Sequence, residues 1–208
     1  MDTDWAWVTQ SWYPGFCLTF VRDRDPATVA DQLGGGPLEL MTIEQTGRAV
    51  PPSLPGSLLR CGTVPGWTYC YEDRTPIASQ PAALARLSAG TQVVQLLKSG
   101  DGLNLVQHSR DGQLVEQFEP RPAAESRGAG PPLLLPRVHT ILSTQPATSR
   151  ILAAAQAVGE VVGSVIGPHL LDGPMLTTHS IRAEDVPATP PADASGLGPR
   201  LGPIDRLT

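Results

Sequence analysis

The chain has 208 residues, a formal net charge of −5 and a sequence pI near 5.3, which suits one domain of ordinary size with or without a tail. Proteins that bind nucleic acid non-specifically carry a basic surface that neutralises phosphates, so the acidic balance argues against a nucleic-acid partner. Three cysteines without close spacing, no secretory signal and no apolar run of about 18 residues predict a cytoplasmic protein with no membrane contact.

The first segment, residues 1–15, is rich in large aromatic residues: Trp5, Trp7, Trp12 and Tyr13. Because Trp and Tyr dominate the hot spots of protein interfaces, these four residues are candidates for binding a partner protein. The alternative is that the segment lies over a sheet and seals its core, since large aromatic side chains are most often buried. Both interpretations hold if one ring stays exposed.

A strand followed by a helix is the clearest fold signal in the sequence. Apolar residues alternate over 16–22 and predict a strand. Asp25 then stands at the N-cap position of a helix, with Pro26 at its first position. Gly34 ends this helix, because glycine adopts the left-handed conformation without steric cost.

Two further strands, 58–63 and 67–72, are predicted on either side of a Pro-Gly turn. A turn at that position places Cys61 directly opposite Cys70, with Cβ atoms about 5 Å apart. The two thiols are then either a redox-sensitive or metal-binding pair, or two small buried residues in a reducing cytosol. A zinc site needs about four ligands, and no second cysteine or histidine pair lies nearby, so we predict no metal site.

The next elements are a helix over 81–88, a strand over 91–98 and a hairpin. The hairpin joins strands 103–108 and 113–118 through Asp111-Gly112, a strong turn signal. The predicted order is therefore β-α-β-β-α-β-β-β, followed by a C-terminal helix. This order predicts an α+β fold over 16–119, with a mostly antiparallel sheet and helices on one face. Its central β-α-β-β-α-β part is compatible with a ferredoxin-like arrangement.

The remaining chain divides into three predicted parts. Residues 120–145 are rich in proline and glycine and predict a linker or a strap across the sheet. Residues 146–182 predict a helix that begins at Pro146, then a short turn and strand that pack on the core. Residues 183–208 predict a disordered tail, because their composition buries too little apolar area. Three glycines in the predicted helix recur every four residues and predict close packing: Gly159, Gly163 and Gly167.

Several short motifs occur in an order that resembles an uncharacterised actinobacterial domain family. The motifs are Leu-Thr-Phe-Val-Arg over 18–22, Gly-Trp at 66–67, Leu-Ser-x-Gly-Thr over 87–91, Asp-Gly at 111–112 and Leu-Asp-Gly-Pro over 171–174. The sequence departs from the family after Glu72, where an Asn-Gly turn is usual. The resemblance covers most of 16–180 and implies one domain of unknown function, with no activity to transfer.

No catalytic motif is present in the sequence. Neither the Gly-x-Ser-x-Gly pattern of a nucleophile elbow nor the His-Glu-x-x-His pattern of a zinc hydrolase occurs. Glu72, at the end of a predicted strand, and His108 are candidates for a polar functional site. The alternative for Glu72 is a solvated strand end, since carboxylates are mostly exposed. We predict no catalytic residue and no cofactor.

These observations predict a non-enzymatic module that binds another protein, of an immunity-like or regulatory kind. One alternative is a structural subunit of a larger assembly. A second alternative is a hydrolase whose active site has no sequence signature and uses His108 or Glu72, because the members of a catalytic site need not be close in sequence.

Overall fold

The computed structural model describes residues 5–11, 13, 15–51 and 54–180. The helices are α1 (Pro26–Gln32), α2 (Ile43–Ala49), α3 (Pro81–Leu87), α4 (Leu135–Thr144), α5 (Arg150–Val162) and α6 (Pro168–Asp172), with 3₁₀ helices at Trp5–Thr9 and Ile77–Ser79. The strands are β1 (Phe16–Arg22), β2 (Glu39–Met41), β3 (Ser57–Val64), β4 (Trp67–Glu72), β5 (Gln92–Lys98), β6 (Asn104–Arg110), β7 (Gln113–Phe118) and β8 (Met175–Ser180). The predicted disordered tail, 183–208, lies outside the described residues.

All eight strands form one antiparallel sheet in the order β2-β8-β3-β4-β1-β5-β6-β7, so the fold is α+β as predicted. Part of the chain follows the order β-α-β-β-α-β and consists of β1, α1, β3, β4, α3 and β5. The short β2 and α2 are inserted between α1 and β3. The four strands of the β-α-β-β-α-β part lie in the order β3-β4-β1-β5, which is the ferredoxin-like arrangement. The hairpin β6–β7 extends the sheet on one side, and β8 with β2 extends it on the other.

Helices cover both faces of this sheet, whereas the sequence predicts them on one face only. Helices α1 and α3, which belong to the ferredoxin-like unit, share one face, where they bury residues such as Val29 and Leu87 against Val21. The opposite face carries α4, α5 and the N-terminal 3₁₀ helix, packed against residues such as Leu18. The sheet is therefore the middle layer of three. None of the helices in the described part of the chain has the length and apolar composition that crossing a membrane requires.

Local rules account for the elements that the sequence predicts best. The Asp25 side chain accepts a hydrogen bond from the Thr28 backbone N–H at 3.0 Å and so caps α1. The β6–β7 turn has positive φ angles at both central residues, 50° at Asp111 and 79° at Gly112. A two-residue turn of this type matches the twist of a hairpin.

The segment 120–145 is not a linker along its whole length, because it contains α4. This helix begins at Leu135, places Pro136 in its first turn and buries Val138 against the sheet. The next helix, α5, begins at Arg150 rather than at Pro146, because the Ser149 side chain caps it by accepting the Leu152 N–H at 3.3 Å. It ends before Gly163, whose φ is 72°, so Gly163 and Gly167 lie outside the helix.

Candidate functional site

The first two tryptophans of the aromatic segment lie inside the protein. Trp5 is 4% exposed and Trp7 is 1% exposed. The Trp7 Nε1–H donates a 2.6 Å hydrogen bond to the backbone oxygen of Ile166, which joins the N-terminal 3₁₀ helix to the segment after α5. Burial therefore supports the core-sealing interpretation for these two residues. Trp12 lies outside the described residues.

Tyr13 differs from the tryptophans because its ring is only partly buried. Its ring centroid lies 5.0 Å from that of Trp7, and its hydroxyl donates a 3.1 Å hydrogen bond to Oδ1 of Asp172. Burial, together with the charge of Asp172, raises the pKa of Tyr13 to about 12. Of the aromatic side chains described in this segment, Trp5 and Trp7 are buried, whereas Tyr13 reaches the surface with a neutral hydroxyl.

Tyr13 lines a cavity of about 410 Å³, which we name the Tyr13 pocket. The pocket lies between α2, the end of α6 and the neighbouring ends of β3 and β4. Its principal side chains are Tyr13, Ile43, Arg60, Tyr71, Asp73, Arg74 and Asp172. Tyrosine, arginine and carboxylate groups therefore converge on one concave surface.

Both arginines of the Tyr13 pocket donate hydrogen bonds to backbone carbonyl oxygens. Arg60 is 2% exposed and donates to the carbonyls of Leu171 and, at 2.8 Å, Gly173, so it holds the connection from α6 to β8. Burial lowers the pKa of Arg60. Arg74 donates at 2.7 Å to the carbonyl of Val50 and thereby fixes the chain that follows α2.

The carboxylates at the rim of the pocket form no ion pair within the described ranges, although the charges of both act on the buried Arg60. These two residues, Asp73 and Asp172, are exposed. Tyr71 forms a wall of the pocket and is 5% exposed. Burial, followed by the charge of Asp73, raises the pKa of Tyr71, so its hydroxyl stays neutral. The pocket offers hydrogen-bond acceptors and aromatic surface, an arrangement suited to binding.

Comparison with known proteins identifies the family of this chain. The model of a family of unknown function (DUF6461) matches residues 1–157. The chain belongs to this family. No curated protein and no solved structure matches the chain. The region that the DUF6461 model matches includes the ferredoxin-like unit and Tyr13, whereas Asp172 lies beyond it.

Glu72, a polar candidate within the region matched by the DUF6461 model, is fully buried rather than a solvated strand end. Its Oε1 accepts the Ile77 N–H at 2.9 Å and its Oε2 accepts the Ala78 N–H at 3.1 Å. Burial raises its pKa to about 7, although these hydrogen bonds oppose the shift. Glu72 therefore holds the 3₁₀ helix Ile77–Ser79 against the end of β4.

His108 lies on the opposite face of the sheet from Glu72, and β1 and β5 separate their strands. It is 2% exposed, and its Nδ1 is 4.0 Å from Oε1 of Glu116. Burial, followed by the charge of Arg110, lowers its pKa to about 4. The two predicted polar residues therefore form no common site, and Glu116 is a buried carboxylate near His108 that the sequence did not indicate.

The cysteines occupy the positions that the predicted register requires. Cys61 is paired directly with Cys70 across β3 and β4, and these two residues and Cys17 are free and buried. A hydrogen bond with Cys61, followed by burial, raises the pKa of Cys70 well above its usual value. In the described part of the chain, no three His, Cys, Asp or Glu side chains are grouped so as to hold a metal ion.

Proposed function

We propose that this member of the DUF6461 family is a non-enzymatic protein-binding module and that the Tyr13 pocket is its recognition site. The observation that carries the proposal is the partial exposure of Tyr13 at a concave surface while Trp5 and Trp7 are buried. Ile43, 50% exposed, adds an apolar side chain to the same surface. Tyrosine anchors beside apolar contacts are typical of interface hot spots.

The charges of the pocket favour a partner that inserts a basic side chain at the rim. Arg60 and Arg74 donate to backbone carbonyls, whereas Asp73 and Asp172 have no ion pair in the described part of the chain. A lysine or arginine of the partner satisfies these carboxylates. The net charge of −5 also favours a basic partner, because opposite charges steer association and set specificity.

The hydrolase alternative receives less support from the geometry. Its two candidate residues, Glu72 and His108, are buried on opposite faces of the sheet, and Glu72 is occupied by backbone N–H groups. A cytoplasmic location fits the proposed role, because three unpaired buried cysteines are usual in a reducing compartment.

The proposal is tested by comparing variants in affinity purification from cells of the native host. Asp172→Lys reverses a charge at the pocket rim and removes the acceptor of the Tyr13 hydroxyl. Asp31→Lys is the matched control, because Asp31 is exposed on α1, which covers the other face of the sheet. We expect a stoichiometric partner that wild type and Asp31→Lys retain and Asp172→Lys loses. Equal retention by all three proteins, or no partner at all, contradicts the proposal.

A further inference from the structure

Two residues on neighbouring strands form a buried wall of the Tyr13 pocket. Arg60 on β3 is paired directly with Tyr71 on β4, so their side chains lie on the same face of the sheet with Cβ atoms about 5 Å apart. Arg60 is 2% exposed and Tyr71 is 5% exposed, and both line the cavity. These two side chains therefore act as one surface, which we name the Arg60–Tyr71 pair.

The Arg60–Tyr71 pair has hydrogen-bond donors that the described part of the chain does not use. The Tyr71 hydroxyl donates to no described residue, although its oxygen is accessible to solvent at the pocket. The raised pKa of Tyr71 keeps this hydroxyl protonated. Beside it, the buried Nε–H of Arg60 also lacks an acceptor, whereas the other two nitrogens of Arg60 donate to the carbonyls of Leu171 and Gly173. Because polar groups in a buried wall are normally paired, an unpaired hydroxyl marks the place of an acceptor on a bound molecule.

The pocket consequently has an acceptor side and a donor side. The acceptor side is the rim, where Asp73 and Asp172 form no ion pair with any described residue. The donor side is the Arg60–Tyr71 pair, where the charge of Arg60 attracts a carbonyl oxygen and repels a cation. A ligand that fits both sides carries a cation toward the rim and a hydrogen-bond acceptor toward the wall.

We propose that the Arg60–Tyr71 pair binds a main-chain carbonyl of the same partner segment whose basic side chain reaches Asp73 and Asp172. Lysine and arginine side chains have donors and no acceptor, so the acceptor nearest to the inserted cation is the carbonyl of its own residue. The cavity of about 410 Å³ lies within the range of roughly 300–1,000 Å³ that small ligands occupy, and it admits one residue with its main chain.

This inference rests on the proposed function, because it concerns the same pocket. It narrows the partner to an extended basic peptide segment, whose main chain enters the pocket together with its side chain. A folded surface that inserts only a side chain leaves the Tyr71 hydroxyl without an acceptor.

Two small probes separate the carbonyl contact from the cation contact. Nα-acetylargininamide has a guanidinium and main-chain carbonyls, whereas ethylguanidinium has the same cation and no carbonyl. Binding of each probe to the full-length protein is followed by NMR chemical shifts. We expect acetylargininamide to bind with a Kd on the order of 1 mM and to bind about three- to tenfold more tightly than ethylguanidinium, which is the effect of one neutral hydrogen bond.

Tyr71→Phe removes the hydroxyl and keeps the ring in the wall of the pocket. We expect this variant to bind acetylargininamide about three- to tenfold more weakly than the wild type does and to bind ethylguanidinium with unchanged affinity. Tyr69→Phe is the matched control, because Tyr69 lies on the same strand and face, is 3% exposed and does not line the pocket. It is expected to bind both probes like the wild type. Circular dichroism checks that both variants are folded.

Several results overturn the carbonyl contact. If Tyr71→Phe weakens the binding of both probes equally, the hydroxyl contacts the cation instead. Equal affinity of the wild type for the two probes, equal losses in Tyr71→Phe and Tyr69→Phe, or no binding of acetylargininamide up to about 10 mM also contradicts it. The proposed function is decided separately by the partner that Asp172→Lys loses. If that partner is found and the probes show no carbonyl contact, this inference fails alone.

Discussion

Glu116 on β7 accepts a 2.6 Å hydrogen bond at Oε1 from the backbone N–H of Leu134, the residue at the N-cap position of α4. The same carboxylate accepts the Leu133 N–H at 2.9 Å and the Leu135 N–H at 3.4 Å. The first N–H groups of a helix have no partner within it, and leucine has no side-chain oxygen to cap them. A fully buried strand carboxylate therefore replaces the N-cap side chain.

Replacing Glu116 is expected to destabilise the protein strongly. Glu116→Ala leaves buried N–H groups without an acceptor and removes a negative charge from a helix N-terminus, so we expect a loss of about 2–4 kcal/mol in the free energy of unfolding. Urea unfolding of the purified variant measures this loss. Glu119→Ala is the control, since Glu119 is exposed one residue after β7, and we expect it to change stability by less than about 0.5 kcal/mol. Equal stability of the two variants contradicts the capping role.

The sequence predicts contacts that depend on neighbouring residues and misses those that depend on distant ones. The cap at Asp25, the Asp111-Gly112 turn and the pairing of Cys61 with Cys70 all follow from local rules and are found in the structure. The sequence predicts a linker or a strap over 120–145 and misses α4, because the cap of this helix comes from Glu116, which no local pattern connects to residue 134.

In the candidate site, too, the sequence indicates local features and misses the contacts between distant residues. Clustering marks the aromatic residues, but only the fold decides that Trp7 reaches Ile166 and that Tyr13 reaches Asp172, each 159 residues away in sequence. Likewise, strand alternation places Glu72 at a strand end but cannot reveal that a 3₁₀ helix closes over it. Long-range contacts of this kind carry no periodic signal in a single sequence.

Two glycine substitutions are expected to have opposite effects on stability. In α5, a Cβ added at Gly159 lies 2.5 Å from Nε1 of the buried Trp5, so Gly159→Ala overpacks the contact with the N-terminal 3₁₀ helix. We expect a loss of about 1–3 kcal/mol. In α2, a Cβ added at Gly47 meets nothing within 4 Å, and Gly47→Ala is expected to gain about 0.5–1 kcal/mol from helix propensity. Thermal and urea unfolding measure both, and a stabilised Gly159→Ala contradicts the close packing.

Glu72 and His108 are expected to give stability opposite dependences on pH. Burial raises the pKa of Glu72 from 4.5 to about 7, so between these values the folded state binds more protons and stability falls as pH rises. Burial lowers the pKa of His108 from 6.5 to about 4, so the unfolded state binds more protons and stability rises with pH. The two contributions offset each other over the range in which both act, from 4.5 to 6.5.

Single substitutions separate these contributions. Relative to the wild type, His108→Gln is expected to become less stable with rising pH, by roughly 3 kcal/mol from about pH 4 to 6.5, because the contribution of His108 is removed. Glu72→Gln is expected to become more stable with rising pH, by a similar amount between about pH 4.5 and 7. Urea midpoints at intervals across this range measure both trends. Differences from wild type that share one sign contradict the assignment of the two groups.

The cross-strand cysteines are expected to be chemically inert in the folded protein. Burial raises the pKa of Cys17, and a hydrogen bond with Cys61 raises that of Cys70, whereas only the thiolate reacts readily with disulfide reagents. We expect the native wild type to resist an aromatic disulfide reagent at neutral pH and to release all three thiols in denaturant. Leu103→Cys, with an exposed thiol, is the positive control. Rapid labelling of the native protein, or a mass two hydrogens lower after treatment with oxidised glutathione, instead supports a redox-active pair at Cys61 and Cys70.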